Sequence, residues 1–193
     1  MNVKIVRIMA RFGTPSPVIG IVMIGLSILL TPEWSITQPL SDLGSEGFGS
    51  MLFNSGLLMT GALAMLLAAG LFEFSKGDLV GQIGSAAFLG YSIATCAIGI
   101  VIIDIGALHE QFVTVLFILI PLSAALLSYS VYMKGLKKHA LLGLVAVVFG
   151  LATWVLGGPV DAVKQLMAII PFGLWQIAIG LHMYGLKEPN EWN

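Results

Sequence analysis

Charged side chains make up only 10% of this 193-residue sequence, and that scarcity excludes more than any motif in it. With 58% hydrophobic residues and a mean hydropathy of +0.98, the chain has too little polar surface to cover a water-soluble globule. Cysteine is down to one residue, Cys96, inside an apolar stretch. A single thiol rules out an internal disulfide framework and a cysteine zinc site, and leaves a small packing residue as its reading. There is no basic patch with interleaved aromatics, so nucleic acid is excluded as a partner.

What is present is long apolar runs. A helical crossing takes roughly 20 apolar residues for a ~30 Å hydrocarbon core, so the length admits six or seven crossings and no soluble domain. Hydropathy places spans near 15–31, 50–73, 79–104, 112–133, 140–157 and 165–186, each bounded by Gly, Pro or charge. The fold expected is all-α: a polytopic membrane protein forming one domain over 1–193, an up-and-down bundle of six transmembrane helices with one longer loop between the first two. The first run follows Lys4, Arg7 and Arg11 as in a signal peptide, but no small-residue cleavage site follows Leu30, so it is read as an uncleaved span. Ahead of it, Ile5, Ile8, Met9 and Phe12 share one helical face and the three cations the other. This spacing fits an amphipathic helix on the membrane surface, and equally an extension of span one broken by Pro15 and Pro17.

The few cations set orientation. Lys4, Arg7, Arg11, Lys76, Lys134, Lys137, Lys138 and Lys187 fall on one side and only Lys164 on the other, eight against one. By the positive-inside rule the chain sits in the cell membrane with both termini cytoplasmic, N-in and C-in. Trp34 and Trp192 read as interface anchors. Helices in lipid gain packing where small residues let backbones approach. Ala86, Gly90 and Ala94, with Gly81 and Ser85 a turn earlier, therefore place span three centrally.

The orientation gathers Glu33, Asp42, Glu46, Asp104, Glu110, Asp161 and His109 at the outer face. The segment from Pro39 to Ser45 is too polar to span and too apolar for a free linker, so it is expected to fold against the outer end of the bundle. Ser41 and Asp42 in that loop, Asn54 at the start of span two, and Asp104 with His109 in the third connection form a candidate outer pocket. Two readings stand for these residues: helix capping and loop bracing, or a carboxylate, imidazole and hydroxyl site for a ligand or for acid and base chemistry. A metal set would be Asp42, Asp104 and His109. No cofactor is expected otherwise, and the spread of His109, His139 and His182 along the bundle argues against a three-histidine zinc site. Gln176 lies 11 residues before Lys187, about 16 Å, which puts a polar side chain near the midplane. Its expected partners are Thr95, Ser123 or Tyr129. No Asp, Glu, Lys or Arg is expected at the midplane, which disfavours an ion-coupled mechanism.

PLSDLGS in the first outer loop, FNSGLLMTG opening span two, and Asp104 with His109 resemble the DUF998 family of prokaryotic six-helix membrane proteins over nearly the whole chain. That family is itself distantly similar to the Frag1/DRAM/Sfk1 proteins, some of them linked to lipid remodelling or lipid distribution. The chain departs from the pattern at Ile170-Pro171-Phe172, where the resemblance leads one to expect an acidic residue after the proline. What the resemblance and the one-sided polar cluster imply together is a lipid-associated protein, more a binder than an enzyme, whose outer pocket recognises a lipid headgroup or small ligand. Its alternatives are a metal-assisted lipid hydrolase at the outer leaflet, a small-solute transporter or channel, and a scaffold subunit of a membrane complex. Membrane lipids are the expected partners, with a homo-oligomer or larger membrane complex also open.

Overall fold

A computed structural model describes residues 1–157 and 161–187. Trp192, read as an anchor, lies outside the described residues. The helices are α1 (Val3–Gly13), α2 (Ser16–Leu30), α3 (Gly47–Phe74), α4 (Leu79–Ile100), α5 (Ala107–Met133), α6 (Lys137–Val155) and α7 (Ala162–Tyr184), with 3-10 turns at Leu40–Gly44 and Ile103–Ile105. No strand occurs among the described residues. Among the described residues, six helical stretches are long and apolar enough to cross a membrane, counting Val3–Leu30 as one. A bilayer is the solvent that this surface needs: Val155 and Leu29 are 81% and 78% exposed.

Successive helices pack side by side, and α7 closes the bundle against α1, α2, α3, α5 and α6. Both ends of the described chain therefore lie at one end of the bundle, here called the terminal end. The Leu40–Gly44 turn lies at the other, the loop end. Close packing follows small residues. A Cβ on Gly61 of α3 would come within 2.6 Å of the Ser92 carbonyl oxygen of α4, and one on Gly180 of α7 within 2.1 Å of Thr14 Oγ1. An aromatic group fills the centre: Phe172 and Trp175 of α7 stack at 10° and 5.7 Å, with Tyr91 of α4 edge-on to Phe172 at 5.0 Å.

Span three, α4, is the most buried of the six, as expected of a central helix, and its Phe88 and Tyr91 meet α7, whose Gly173 and Gly180 admit Pro17 and Thr14 against its backbone. Two expectations need correction. On α4, Ala86 faces outward, and the buried line runs Gly81, Ser85, Phe88, Ser92 and Thr95, in steps of three and four as a straight helix requires. The α4 helix also stops at Ile100, four residues before the expected end, and the chain re-enters helix at Gly106, whose φ of +64° suits a residue without Cβ.

The N-terminal helix falls between its two readings. Val6, Ala10 and Gly13 face the bundle, while Ile5, Ile8 and Phe12 face out. The Asn2 amide donates to Glu73, and Gly13 packs on Leu67. Eleven residues of α1 thus cover six of α3, about 16 Å against about 9 Å at ~1.5 Å per residue, so α1 crosses α3 obliquely. Thr14 and Pro15 keep helical dihedral angles at the joint, and α2 continues from there.

Candidate functional site

The polar loop folds onto the bundle as its composition implies. Leu40 and Leu43 are buried beside Phe53 and Ile24 and anchor the turn. Two hydrogen bonds latch it to α7: the Leu40 amide donates to Gln165 Oε1 at 2.7 Å, and the Ala162 amide donates to the Gln38 carbonyl at 2.9 Å. Trp34 Nε1 donates to the Pro39 carbonyl at 3.1 Å, so this ring braces the loop from within.

The five residues of the expected outer pocket have separate roles in this geometry. Asn54 Nδ2 donates to the Gly44 carbonyl and holds the turn to α3. His109 is buried, with Nδ1 2.6 Å from the Val101 carbonyl oxygen. A carbonyl can only accept, so Nδ1 carries the proton there, and Nε2 is buried without a partner. Asp104 is exposed in the Ile103–Ile105 turn. Asp42 is half-buried and its backbone carbonyl takes the Ser45 hydroxyl; burial raises its carboxyl above the ordinary value. The two 3-10 turns pack together. Even so, no group of three or more His, Cys, Asp or Glu that could hold a metal ion occurs among the described residues, so Asp42, Asp104 and His109 do not make one. Of the five, Ser41 lines an apolar cavity with Leu40, Phe53 and Gln165.

That cavity belongs to a series that runs inward. A groove of about 570 Å³ opens to the lipid side between α5 and α6, where Pro121 lies against Gly150. Thr114 and Trp154 are common to this groove and to a pocket of about 140 Å³ at the loop end, lined also by Thr153, Lys164 and Gln165. Val113, Phe117 and Gln165 are common to that pocket and to an apolar space of about 60 Å³ beneath Ser41. Ile24, Leu57, Leu116 and Ile169 in turn separate it from a chamber of similar size that reaches Thr60, Tyr91, Thr95 and Gln176. Consecutive spaces share walls of single side chains. From Gln165 to Gln176 is 11 residues of α7, about 16 Å.

Gln176 does bond between helices, though with partners the sequence did not suggest, and the expected Thr95 is reached only through Tyr91. Its Oε1 accepts from Ser16 of α2 at 3.5 Å, and its side chain interacts with Tyr91, itself in contact with Thr95. Ser123 instead returns its hydroxyl to Leu119 on its own helix, and Tyr129 is exposed. Sequence reasoning also missed a polar knot at the terminal end. Asp78 caps α4 through the Gly81 amide, accepts from Ser130 and pairs with Lys134 at 3.6 Å. Partial burial opposes its charge, but these partners outweigh it and hold the carboxyl below its ordinary value. His139 and His182 meet there with ring centroids 5.0 Å apart, at the opposite end from His109.

A family described as "Protein of unknown function (DUF998)" matches residues 16–182, spanning α2 to nearly the end of α7. The chain belongs to the DUF998 family. No curated protein and no solved structure matches it. The match to DUF998 takes in the Ser-Asp loop and every wall of the inward series of spaces, whereas most of α1 lies outside it.

Proposed function

We propose that this DUF998 protein binds a membrane lipid sideways. An acyl chain leaves the bilayer through the α5–α6 groove and enters the interior cleft under the Ser41–Asp42 loop. The polar end stays at the mouth, beside Thr153, Trp154, Lys164 and Gln165. One observation carries the reading: a lipid-facing groove and the apolar spaces inside the bundle lie in series, each parted from the next by single side chains. Interior walls such as Ile24, Phe53, Leu57, Ile98 and Leu116 match an acyl chain and offer nothing to an ion. With one cation against eight across the membrane, the loop end is assigned to the outside and the bound lipid to the outer leaflet. Asn54 holds the roof of the cleft to α3, and His109 braces the end of α4.

Native mass spectrometry of the protein released from nanodiscs tests this. Wild type is expected to retain one lipid. Ile169→Trp, which fills the narrowing between the inner spaces, is expected to lose most of it while thermal unfolding shows the bundle still folded. Equal retention by a folded Ile169→Trp variant would refute the cleft as the binding place.

A further inference from the structure

The innermost chamber has a chemistry that an acyl chain does not use. Thr60, Tyr91, Thr95 and Gln176 face it, and Ser16 stands behind Gln176. In a helix, a buried hydroxyl ordinarily returns its proton to the carbonyl four residues back. Ser85, Ser92 and Thr95 of α4 and Ser123 of α5 all do so. Thr60 does not: it is 7% exposed, and its Oγ1 has no hydrogen-bond partner at all. Gly20 of the neighbouring α2 helix comes close beside it, and both line the chamber. A Cβ on Gly20 would sit 3.0 Å from Thr60 Oγ1, and glycine has none. A buried hydroxyl without a partner is unfavourable, and a ligand oxygen removes that penalty.

No Asp, Glu, Lys, Arg or His lines the chamber. An ionised group would be strongly disfavoured there, deep in the bundle and without a counter-charge. An uncharged oxygen suits it, since Thr60 has a proton to give and the Gln176 amide both donates and accepts. We propose that the Thr60–Gln176 chamber binds a neutral hydroxyl or carbonyl carried at the tail end of the inserted chain, whose headgroup stays at the mouth of the cleft. This rests on the lateral-cleft reading and names the class of amphiphile that completes it.

Photolabelling of the full chain in nanodiscs separates the two. The probes are a long-chain alcohol, the matching alkane and the matching carboxylate, each with a diazirine beside its terminal group, and labelled peptides are mapped by mass spectrometry. The alcohol is expected to label the chamber walls ~2- to 10-fold more than the alkane, the advantage of one hydrogen bond to an otherwise unpaired group. Thr60→Val, which keeps the shape and removes the hydroxyl, is expected to bring the alcohol down to the alkane level. Gly20→Ala, which sets a methyl 3.0 Å from Thr60 Oγ1, should do the same by crowding the hydroxyl with Thr60 intact. Equal labelling by alcohol and alkane, or by alcohol and carboxylate, would overturn the proposal while leaving the cleft standing; so would full alcohol labelling in Thr60→Val. Failure of every probe to label Leu57, Leu116 or Ile169 would overturn the cleft and this site together.

Discussion

Replacing Gln165 by Leu removes the acceptor that latches the Ser-Asp loop to α7. The Leu40 amide donates to Gln165 Oε1 at 2.7 Å, and Leu40 itself is 4% exposed, so water is poorly placed to take over. Leaving a buried donor unpaired costs ~1–3 kcal/mol. At ~1.4 kcal/mol per tenfold, the opening equilibrium of the turn shifts by about 5- to 150-fold. Hydrogen exchange in nanodiscs reads this directly, because the Leu40 amide exchanges through local opening. Exchange at residues 40–44 is expected to accelerate by that factor, with amides in the middle of α4 unchanged. The Ala162 amide bond to Gln38 remains and limits the release to the turn. Gln165→Glu keeps an acceptor and is expected to retain most of the protection. Unchanged exchange at Leu40 in Gln165→Leu would refute the latch, and with it the view that α7 positions the roof of the cleft.

Helix contact and charge supply two further tests. Gly61→Ala would press a methyl against the Ser92 carbonyl at 2.6 Å and the Cys96 amide nitrogen at 2.8 Å, both backbone atoms, so α3 and α4 must separate. A loss of ~1–3 kcal/mol is expected in reversible unfolding in detergent, against little effect from Gly25→Ala, where nothing lies within 4 Å. Asp42 and Asp78 are expected to respond to acid with opposite signs. Burial raises Asp42 in the folded state, so its contribution to stability improves as pH falls through that raised value toward about 3.9, where the unfolded carboxyl titrates. The native carboxyl of Asp78 is lowered, so the stability from Ser130, Gly81 and Lys134 is full above about pH 3.9 and is lost as pH falls through the lower native value. Melting temperature against pH should therefore change slope in one direction with Asp42→Asn and in the other with Asp78→Asn; slopes of the same sign would contradict these environments.

The spans were legible because a bilayer constrains the chain over lengths of 20 residues, and hydropathy averages over that length. All six expected ranges overlap single helices closely; the first matches α2 to within one residue at each end, with α1 leading into it through Thr14 and Pro15. The face of a helix was harder to read. Ala86, Gly90 and Ala94 satisfy a four-residue rule, yet a straight helix drifts off any strict four-residue line, and Ala86 ends in lipid. The fate of polar side chains was least legible, since it turns on which acceptor is nearest. Asn54 and His109 meet carbonyls of the adjoining turns within 3.0 Å, which turns two expected ligand contacts into braces. Thr60 shows the converse. In sequence it is one hydroxyl among many in apolar runs, and the ordinary outcome is a bond to its own helix. Its unpaired Oγ1, together with its place on the wall of the inner chamber, distinguishes it. A functional residue of this kind is defined by what its neighbours fail to do, so it emerges only once helices from distant parts of the chain have been brought together.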